Sequence, residues 1–114
     1  MLKHFNLEQD PKMAGLDIKL LTMLDNARTM ADIPFIITSG KRDLYTNTEL
    51  GGVKDSSHLK GLACDIECKN STQAFCIIKG AIVAGFKRIG MGKGHIHLDI
   101  DPVKPQNVLF IEEH

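Results

Sequence analysis

An amphipathic helix is predicted near the start of the chain. Asp10-Pro11 is a typical helix start, with an aspartate as N-cap and a proline in the first turn. Apolar side chains then recur at steps of three and four residues: Leu16, Leu20, Leu24, Ala27 and Met30 or Ala31. This spacing places them on one face and predicts a helix that runs to about Ala31, before the helix-breaking Pro34.

A second helix is predicted in the second half of the chain. Asn70 or Ser71 would cap its start, and Gly85 follows its end. Its apolar stripe would consist of Phe75, Ile78 and Ile82. In the polar stretch between the two helices, Thr46 would cap a short helical turn that Gly51-Gly52 would end.

Four short strands are predicted around these helices. Residues 35–38 form a β-branched run, and residues 62–68 alternate apolar and polar side chains. Residues 88–91 and 96–100 would form a hairpin around a turn at 92–94. The order helix, strand, strand, helix, strand, strand predicts an α+β fold, a small and mostly antiparallel sheet with helices packed on one face.

Length and charge limit the classes of protein that this chain can belong to. Its 114 residues suit a single domain over 1–114, and we expect a monomer. The 14 basic and 14 acidic residues cancel, so no nucleic-acid partner is expected. The apolar run at 81–86 is far shorter than the roughly 20 residues that span a bilayer, so no membrane insertion is expected. Charged residues among the first fifteen argue against a signal peptide, which predicts synthesis in the cytoplasm.

The three cysteines are expected to be small buried hydrophobic residues. Cys64, Cys68 and Cys76 are an odd number and include no C-x-x-C pair. Neither a disulfide framework nor a structural zinc knuckle is therefore expected. Cys64 and Cys68 share the apolar face of the predicted strand at 62–68, which fits a position in the core.

Two polar clusters carry the candidate chemistry. The first is S-S-H-L-K-G-L-A-C-D at 56–65, and the second is H-I-H-L-D at 95–99. Alternate residues of a strand lie on one face, so three polar side chains of the second cluster project together: His95, His97 and Asp99. Asp65 projects from the polar face of the earlier strand, and Gly61 permits a turn between it and His58.

Two imidazoles and one carboxylate from neighbouring segments form the ligand set of a catalytic zinc site. Such a site uses three protein ligands and leaves the fourth position to water. An H-x-H pair alone is a weak signal, whereas the joint spacing of His58, Asp65 and His97 is specific. A ligating histidine usually donates its other ring N–H to a carboxylate or carbonyl, a role open to Asp99 or Asp101.

The two clusters resemble the zinc peptidases of the D-alanyl-D-alanine carboxypeptidase group. That group includes phage L-alanyl-D-glutamate endolysins and shares its fold with the Hedgehog signalling domain. The residues that match S-x-H-x-x-G-x-A-x-D and the later H-x-D are Ser56, His58, Gly61, Ala63, Asp65, His97 and Asp99. Flanking stretches at 38–42, 51–53, 85–86 and 89–92 are also similar, so the resemblance covers about residues 11–101.

This resemblance implies a role for each matching residue. His58, Asp65 and His97 would be the ligands of a Zn²⁺ cofactor. Asp99 and Ser56 would lie behind these ligands and support them.

The resemblance also implies catalytic roles for two further residues. Arg42 would bind a substrate carboxylate or stabilise the tetrahedral oxyanion, because its planar guanidinium holds a carboxylate at two points. Many relatives carry a carboxylate three residues before the last zinc histidine, where this chain has Gly94. The acid/base role would then fall to His95, whose ordinary pKa suits proton transfer near neutrality, or else to Glu67 or Asp99.

The activity that the resemblance implies is hydrolysis of an amide bond in peptidoglycan stem peptides. The protein would act on the cell wall, as a phage lysis enzyme or as part of a virion, with bacterial wall remodelling as the second interpretation. An alternative is a non-catalytic zinc-binding module of the same fold that acts in binding or in virion structure. A module of that kind would need the zinc ligands for stability but would tolerate the loss of His95 and Arg42.

Overall fold

The computed structural model describes residues 2–51 and 53–112, which contain three α-helices and a five-stranded sheet. The elements, in chain order, are α1 (Ile18–Ala31), β1 (Ile37–Ser39), α2 (Leu44–Glu49), β2 (Ala63–Glu67), α3 (Ser71–Val83), β3 (Arg88–Gly92), β4 (His95–Asp99) and β5 (Val108–Ile111). The strand order is β1-β2-β4-β3-β5. The first four strands in this order are antiparallel to their neighbours, and β5 pairs parallel to β3. The predicted α+β class and the largely antiparallel sheet are confirmed.

The hydrophobic core fills the space between the sheet and the helices α1 and α3. Period-2 alternation in the strands sends one set of side chains into this core: Cys64, Ile66, Ile89, Ile96 and Leu98. The two helices add a second set: Leu20, Leu24, Ala27, Ala31, Ile77 and Ala81. The polar residues of β2 and β4 therefore lie on the opposite face of the sheet, which the site uses.

The first helix begins later than predicted. Pro11–Met13 form only a short 3₁₀ turn, capped by Asp10, and α1 begins after a new cap at Asp17. Gly15 has a φ of +78°, a backbone conformation that interrupts any helix. The prediction of one helix from the Asp10-Pro11 signal was therefore wrong at its start, although its end at Ala31 is confirmed.

The predicted apolar stripe of α3 was wrong for two of its three residues, since only Ile78 packs against the core. Asn70 caps the helix as expected, but Phe75 and Ile82 are 69% and 61% exposed. The side of α3 that packs inward instead carries Ile77, Gly80 and Ala81. Because Gly80 has no side chain, α3 can approach the backbone of α1 closely. This close approach, and not the size of the apolar side chains, determines which face of α3 is buried.

Three smaller predictions had mixed outcomes. The cap of α2 is Asp43, whose carboxylate accepts from the Thr46 N–H, so Thr46 lies inside the helix; Gly52, predicted to help end it, lies outside the described residues. All three cysteines are free, but only Cys64 is fully buried.

The strand β5 was not predicted at all. No helix in the described part of the chain is long and apolar enough to cross a membrane.

Candidate metal centre

Pairing of the two central strands brings the predicted ligands together. In the antiparallel register of β2 and β4, Asp65 lies directly opposite His97. His58 comes from the turn before β2. This turn depends on Gly61, which has a φ of +73° and lies where a Cβ would come within 2.6 Å of the Gly15 carbonyl oxygen.

Three ligand atoms converge on the open face of the sheet. Asp65 Oδ1 lies 3.2 Å from His58 Nε2 and 3.2 Å from His97 Nδ1. All three residues are buried, and their ligand atoms lie within 4.8 Å of one another. His58, Asp65 and His97 could therefore hold a metal ion.

The other nitrogen of each imidazole is held by a hydrogen-bond acceptor. His97 Nε2 donates to Asp99 Oδ2 at 2.7 Å, and His58 Nδ1 donates to the Gly40 carbonyl oxygen at 2.8 Å. Ser56 Oγ accepts from the backbone N–H of His58 at 3.2 Å. These bonds place the second ring nitrogen of each histidine toward Asp65, which is the arrangement expected for metal ligands. Asp99 and Ser56 thus each bond to a predicted ligand, while their supporting role stays a prediction.

Arg42 holds the carboxylate of the cluster from the other side. Its Nη2 donates to Asp65 Oδ2 at 3.2 Å, while Nε and Nη1 donate to Ser39 Oγ and Asn47 Oδ1 at 2.9 and 3.3 Å. The buried Asn47 is held in turn by the Val53 carbonyl oxygen. Arg42 therefore fixes the orientation of Asp65 so that Oδ1 faces the two imidazoles.

Asp99 connects the centre to Arg88. Arg88 Nε donates to Asp99 Oδ1 at 2.7 Å, and Nη1 donates to the Pro105 carbonyl oxygen. The guanidinium also lies 5.0 Å from the ring centroid of Phe110, within the range of a cation–π contact. The same ring is 5.7 Å from that of His97, so Phe110 covers one side of the centre.

The close packing of acid and base shifts the pKa values of the cluster. Burial would raise the pKa of Asp65, but hydrogen bonds from His58 and His97 hold it well below its ordinary value. Burial would lower the pKa of His97, but its bonds to Asp65 and Asp99 raise that pKa to about 9. A metal ion that binds His97 Nδ1 must therefore displace a proton.

A second acid–base pair flanks the ligands. His95 Nε2 lies 2.8 Å from Glu112 Oε1, and Glu112 Oε2 is 3.8 Å from His97 Nδ1. Asp65, His95 and Glu112 also offer ligand atoms within 4.8 Å of one another. His95 therefore lies beside the centre, as the strand pattern predicted, and its catalytic role stays a prediction.

Two of the predicted ligands, His58 and His97, line a cleft of about 380 Å³. Its walls include three cationic side chains, Arg42, Arg88 and Lys104, together with Phe110 and Glu112. A larger groove of about 870 Å³ lies between the N-terminal segment and α1, but none of the metal-ligand clusters found in the described residues lies there.

Sequence reasoning did not predict the two site residues supplied by β5 and the residue after it. Phe110 and Glu112 reach the site only because β5 pairs with β3. The apolar run at 108–111 was a signal for a strand, and alternation along it places Phe110 and Glu112 on the same face. Arg88 begins a predicted strand, but nothing in the sequence indicated its bond to Asp99.

Residues 2–99 match the family model described as peptidase M15. The chain belongs to the peptidase M15 family. This result confirms the family that the sequence resemblance suggested. No curated protein matches the chain. The M15 match implies a peptide substrate and includes every predicted ligand, but it ends at Asp99, so β5 and Glu112 lie beyond it.

Proposed function

We propose that the protein is a zinc metallopeptidase that hydrolyses an amide bond in peptidoglycan stem peptides. The observation that carries this proposal is the convergence of His58 Nε2, Asp65 Oδ1 and His97 Nδ1 beside an open cleft in a chain of the M15 family. Two imidazoles and one carboxylate are the donors that zinc accepts in hydrolases.

The donor set fits zinc because each ligand is already oriented. His58 is fixed by Gly40, His97 by Asp99, and Asp65 by Arg42, so little ordering remains when an ion binds. When bound, zinc polarises the scissile carbonyl and makes water a nucleophile near neutral pH.

Arg42 is the residue we assign to an oxygen of the substrate. A guanidinium has five N–H donors, and three of those of Arg42 bind Ser39, Asn47 and Asp65. The remaining N–H groups can donate to a substrate carboxylate or to the oxyanion that forms on the carbonyl. Because this group keeps its charge at every accessible pH, it suits both roles.

The charge of the cleft supports an acidic peptide substrate. Arg88 and Lys104 line the same cleft as Arg42. Asp65 and Asp99 pair with the two arginines, so Lys104 and the remaining N–H groups of the arginines are the donors that the cleft offers to a substrate carboxylate. Peptidoglycan stem peptides carry several carboxylates, which this lining would attract. We therefore propose the cell wall as the place of action, in phage lysis or from a virion.

The direct experiment is digestion of purified peptidoglycan by the zinc-loaded protein, with mass identification of the fragments. We expect new amine termini, their loss on addition of a chelator, and their recovery when zinc is restored. His58→Ala should abolish the release, whereas His4→Ala, at a histidine bonded to Thr29 far from the cleft, should not.

A non-catalytic zinc module of the same fold is the second candidate. It is favoured by Gly94, which leaves no carboxylate three residues before the last ligand. Tight binding of one zinc ion without release of fragments from peptidoglycan, or from synthetic stem peptides, would support this candidate over the peptidase.

A further inference from the structure

We propose that the catalytic acid/base of this site is Glu112, the residue that follows β5, and that His95 positions it; this inference rests on the proposed peptidase function. The acid/base role thus belongs to a carboxylate beyond the matched part of the chain, and not to His95 of β4. It also gives β5 a catalytic purpose.

The two carboxylate oxygens of Glu112 have different neighbours. Oε1 accepts from His95 Nε2 at 2.8 Å, which anchors the carboxylate. Oε2 lies 3.8 Å from His97 Nδ1, the atom through which His97 faces the metal position. The side chain is 15% exposed and lines the cleft, so it lies beside the ligand cluster and would face a substrate bound in the cleft.

The neighbouring strand is shaped to receive this carboxylate. A Cβ at Gly90 would lie 2.6 Å from the Phe110 ring and 3.1 Å from Glu112 Cγ. A Cβ at Gly92 would lie 2.2 Å from the His95 ring. Two glycines on the open face of β3 therefore make the room in which His95, Phe110 and Glu112 lie.

The backbone fixes the position of Glu112 as well. Its N–H donates to the Met91 carbonyl oxygen at 2.8 Å, which continues the pairing of β5 with β3 by one residue. A carboxylate held by backbone and by His95 needs little reorganisation during a proton transfer.

The other carboxylates near the centre are already engaged. Asp65 is a ligand, and Asp99 receives His97 on one oxygen, and Arg88 and the Asp101 N–H on the other. Glu67 lies 4.0 Å from the ammonium of Lys69 and belongs to neither of the metal-ligand clusters found in the described residues.

The proposed step balances without a further reactant. Glu112 takes one proton from water as the water oxygen bonds to the carbonyl carbon. It then gives that proton to the amide nitrogen as the C–N bond breaks, which yields a carboxylic acid and an amine and regenerates the carboxylate. His95 donates to Oε1 throughout and keeps Oε2 directed at the reacting atoms.

The first test compares Glu112→Gln with the wild type, and Glu8→Gln, at an exposed residue far from the cleft, is the control. We expect Glu112→Gln to bind zinc with unchanged affinity, measured by competition with a chromophoric chelator, while kcat on peptidoglycan falls by roughly 10²–10⁴. Loss of zinc from this variant would make Glu112 a ligand and overturn the proposal. Unchanged kcat would also overturn it.

A second readout does not depend on peptidoglycan. Acetohydroxamic acid binds metal centres as its anion. A carboxylate next to the metal can take up the proton that the hydroxamic acid loses. Calorimetry should therefore show binding about tenfold or more weaker to zinc-loaded Glu112→Gln than to the wild type. Equal affinities would contradict the proposal. An inactive wild type that still shows this difference would refute the proposed substrate but not the role of Glu112.

Two further variants separate a catalytic role from a structural one. Gly90→Ala keeps the carboxylate but displaces it, so we expect zinc to be retained and kcat to fall. His95→Gln keeps a donor to Glu112 and should retain much more activity than His95→Ala. An equal loss in both His95 variants, with Glu112→Gln fully active, would return the proton transfer to His95.

Discussion

The two carboxylate oxygens of Asp65 have different hydrogen-bond partners. Oδ1 lies between the two imidazoles, and Oδ2 accepts from Arg42. The second bond matters because a free carboxylate can rotate, whereas a carboxylate held on one oxygen presents the other in a fixed direction. The geometry of the candidate metal site therefore depends on Arg42, which is not one of its three predicted ligands.

Arg42→Lys tests this dependence. An ammonium cannot bind Ser39, Asn47 and Asp65 together in the geometry of a guanidinium, so we expect zinc affinity to fall by about 10–100-fold. Competition titration with a chelator measures it, and Arg28→Lys on α1 serves as the matched control. Wild-type affinity in Arg42→Lys would mean that Asp65 is oriented without this fork.

The raised pKa of His97 predicts a pH dependence in the metal-free protein. Because the folded value lies above the unfolded 6.5, the protonated ring stabilises the fold fully below pH 6.5, and this contribution disappears as pH rises through about 9. The free energy of unfolding in urea should therefore decrease across this interval. His97→Asn should lack that part of the decrease.

At the scale of elements, the contact of α1 with α3 depends on Gly80. A Cβ there would lie 2.4 Å from the Ala27 carbonyl oxygen and 2.8 Å from Ala31 Cβ. This backbone contact leaves no flexible neighbour to move aside, so helix separation is the only relief. The glycine explains why α3 buries the face that carries Ile77, Gly80 and Ala81 and leaves Phe75 and Ile82 exposed.

Gly80→Ala should therefore destabilise the protein although alanine is the better helix former. Overpacking typically costs about 1–3 kcal/mol, against a propensity gain of about 1 kcal/mol, so we expect a net loss near 1 kcal/mol. Chemical denaturation measures the difference. Val83→Ala, on the exposed side of the same helix, should change stability by less than about 0.5 kcal/mol.

The sequence predicted those elements whose signal is local. Strict alternation identified β2, and the turn predicted at 92–94 identified the hairpin of β3 and β4, because both patterns are set within a few residues. The buried face of α3 was missed because a contact between helices, not its own apolar residues, selects it. The strand β5 was missed because its partner β3 is about twenty residues away and parallel.

The residues of the candidate site likewise differ in whether a local sequence pattern identifies them. His58, Asp65, His97, Asp99 and Ser56 lie in motifs of fixed spacing, and the structure brings them together. Glu112 has no spacing relation to them, so only the three-dimensional arrangement identifies it.

At the scale of the whole molecule, the candidate centre would link metal binding to stability. The three candidate ligands come from the turn before β2, from β2 itself and from β4, so an ion that binds only the folded chain would add its binding free energy to the fold.

Zinc at about 100 times its dissociation constant should stabilise the protein by about 2.7 kcal/mol and raise Tm by about 10 °C. A thermal scan with and without a chelator checks this shift. His58→Ala should unfold at the same temperature in both conditions; a zinc-dependent shift that survives in this variant would place the ion elsewhere.

The position of Asp65 opposite His97 has a further consequence for how the chain reaches its native state. A slip of one residue between the two central strands would turn Asp65 toward the hydrophobic interior and leave the imidazoles without their shared oxygen. Only the correctly aligned sheet can thus capture the ion. The time course of metal uptake during refolding would therefore report when these two strands reach their native register.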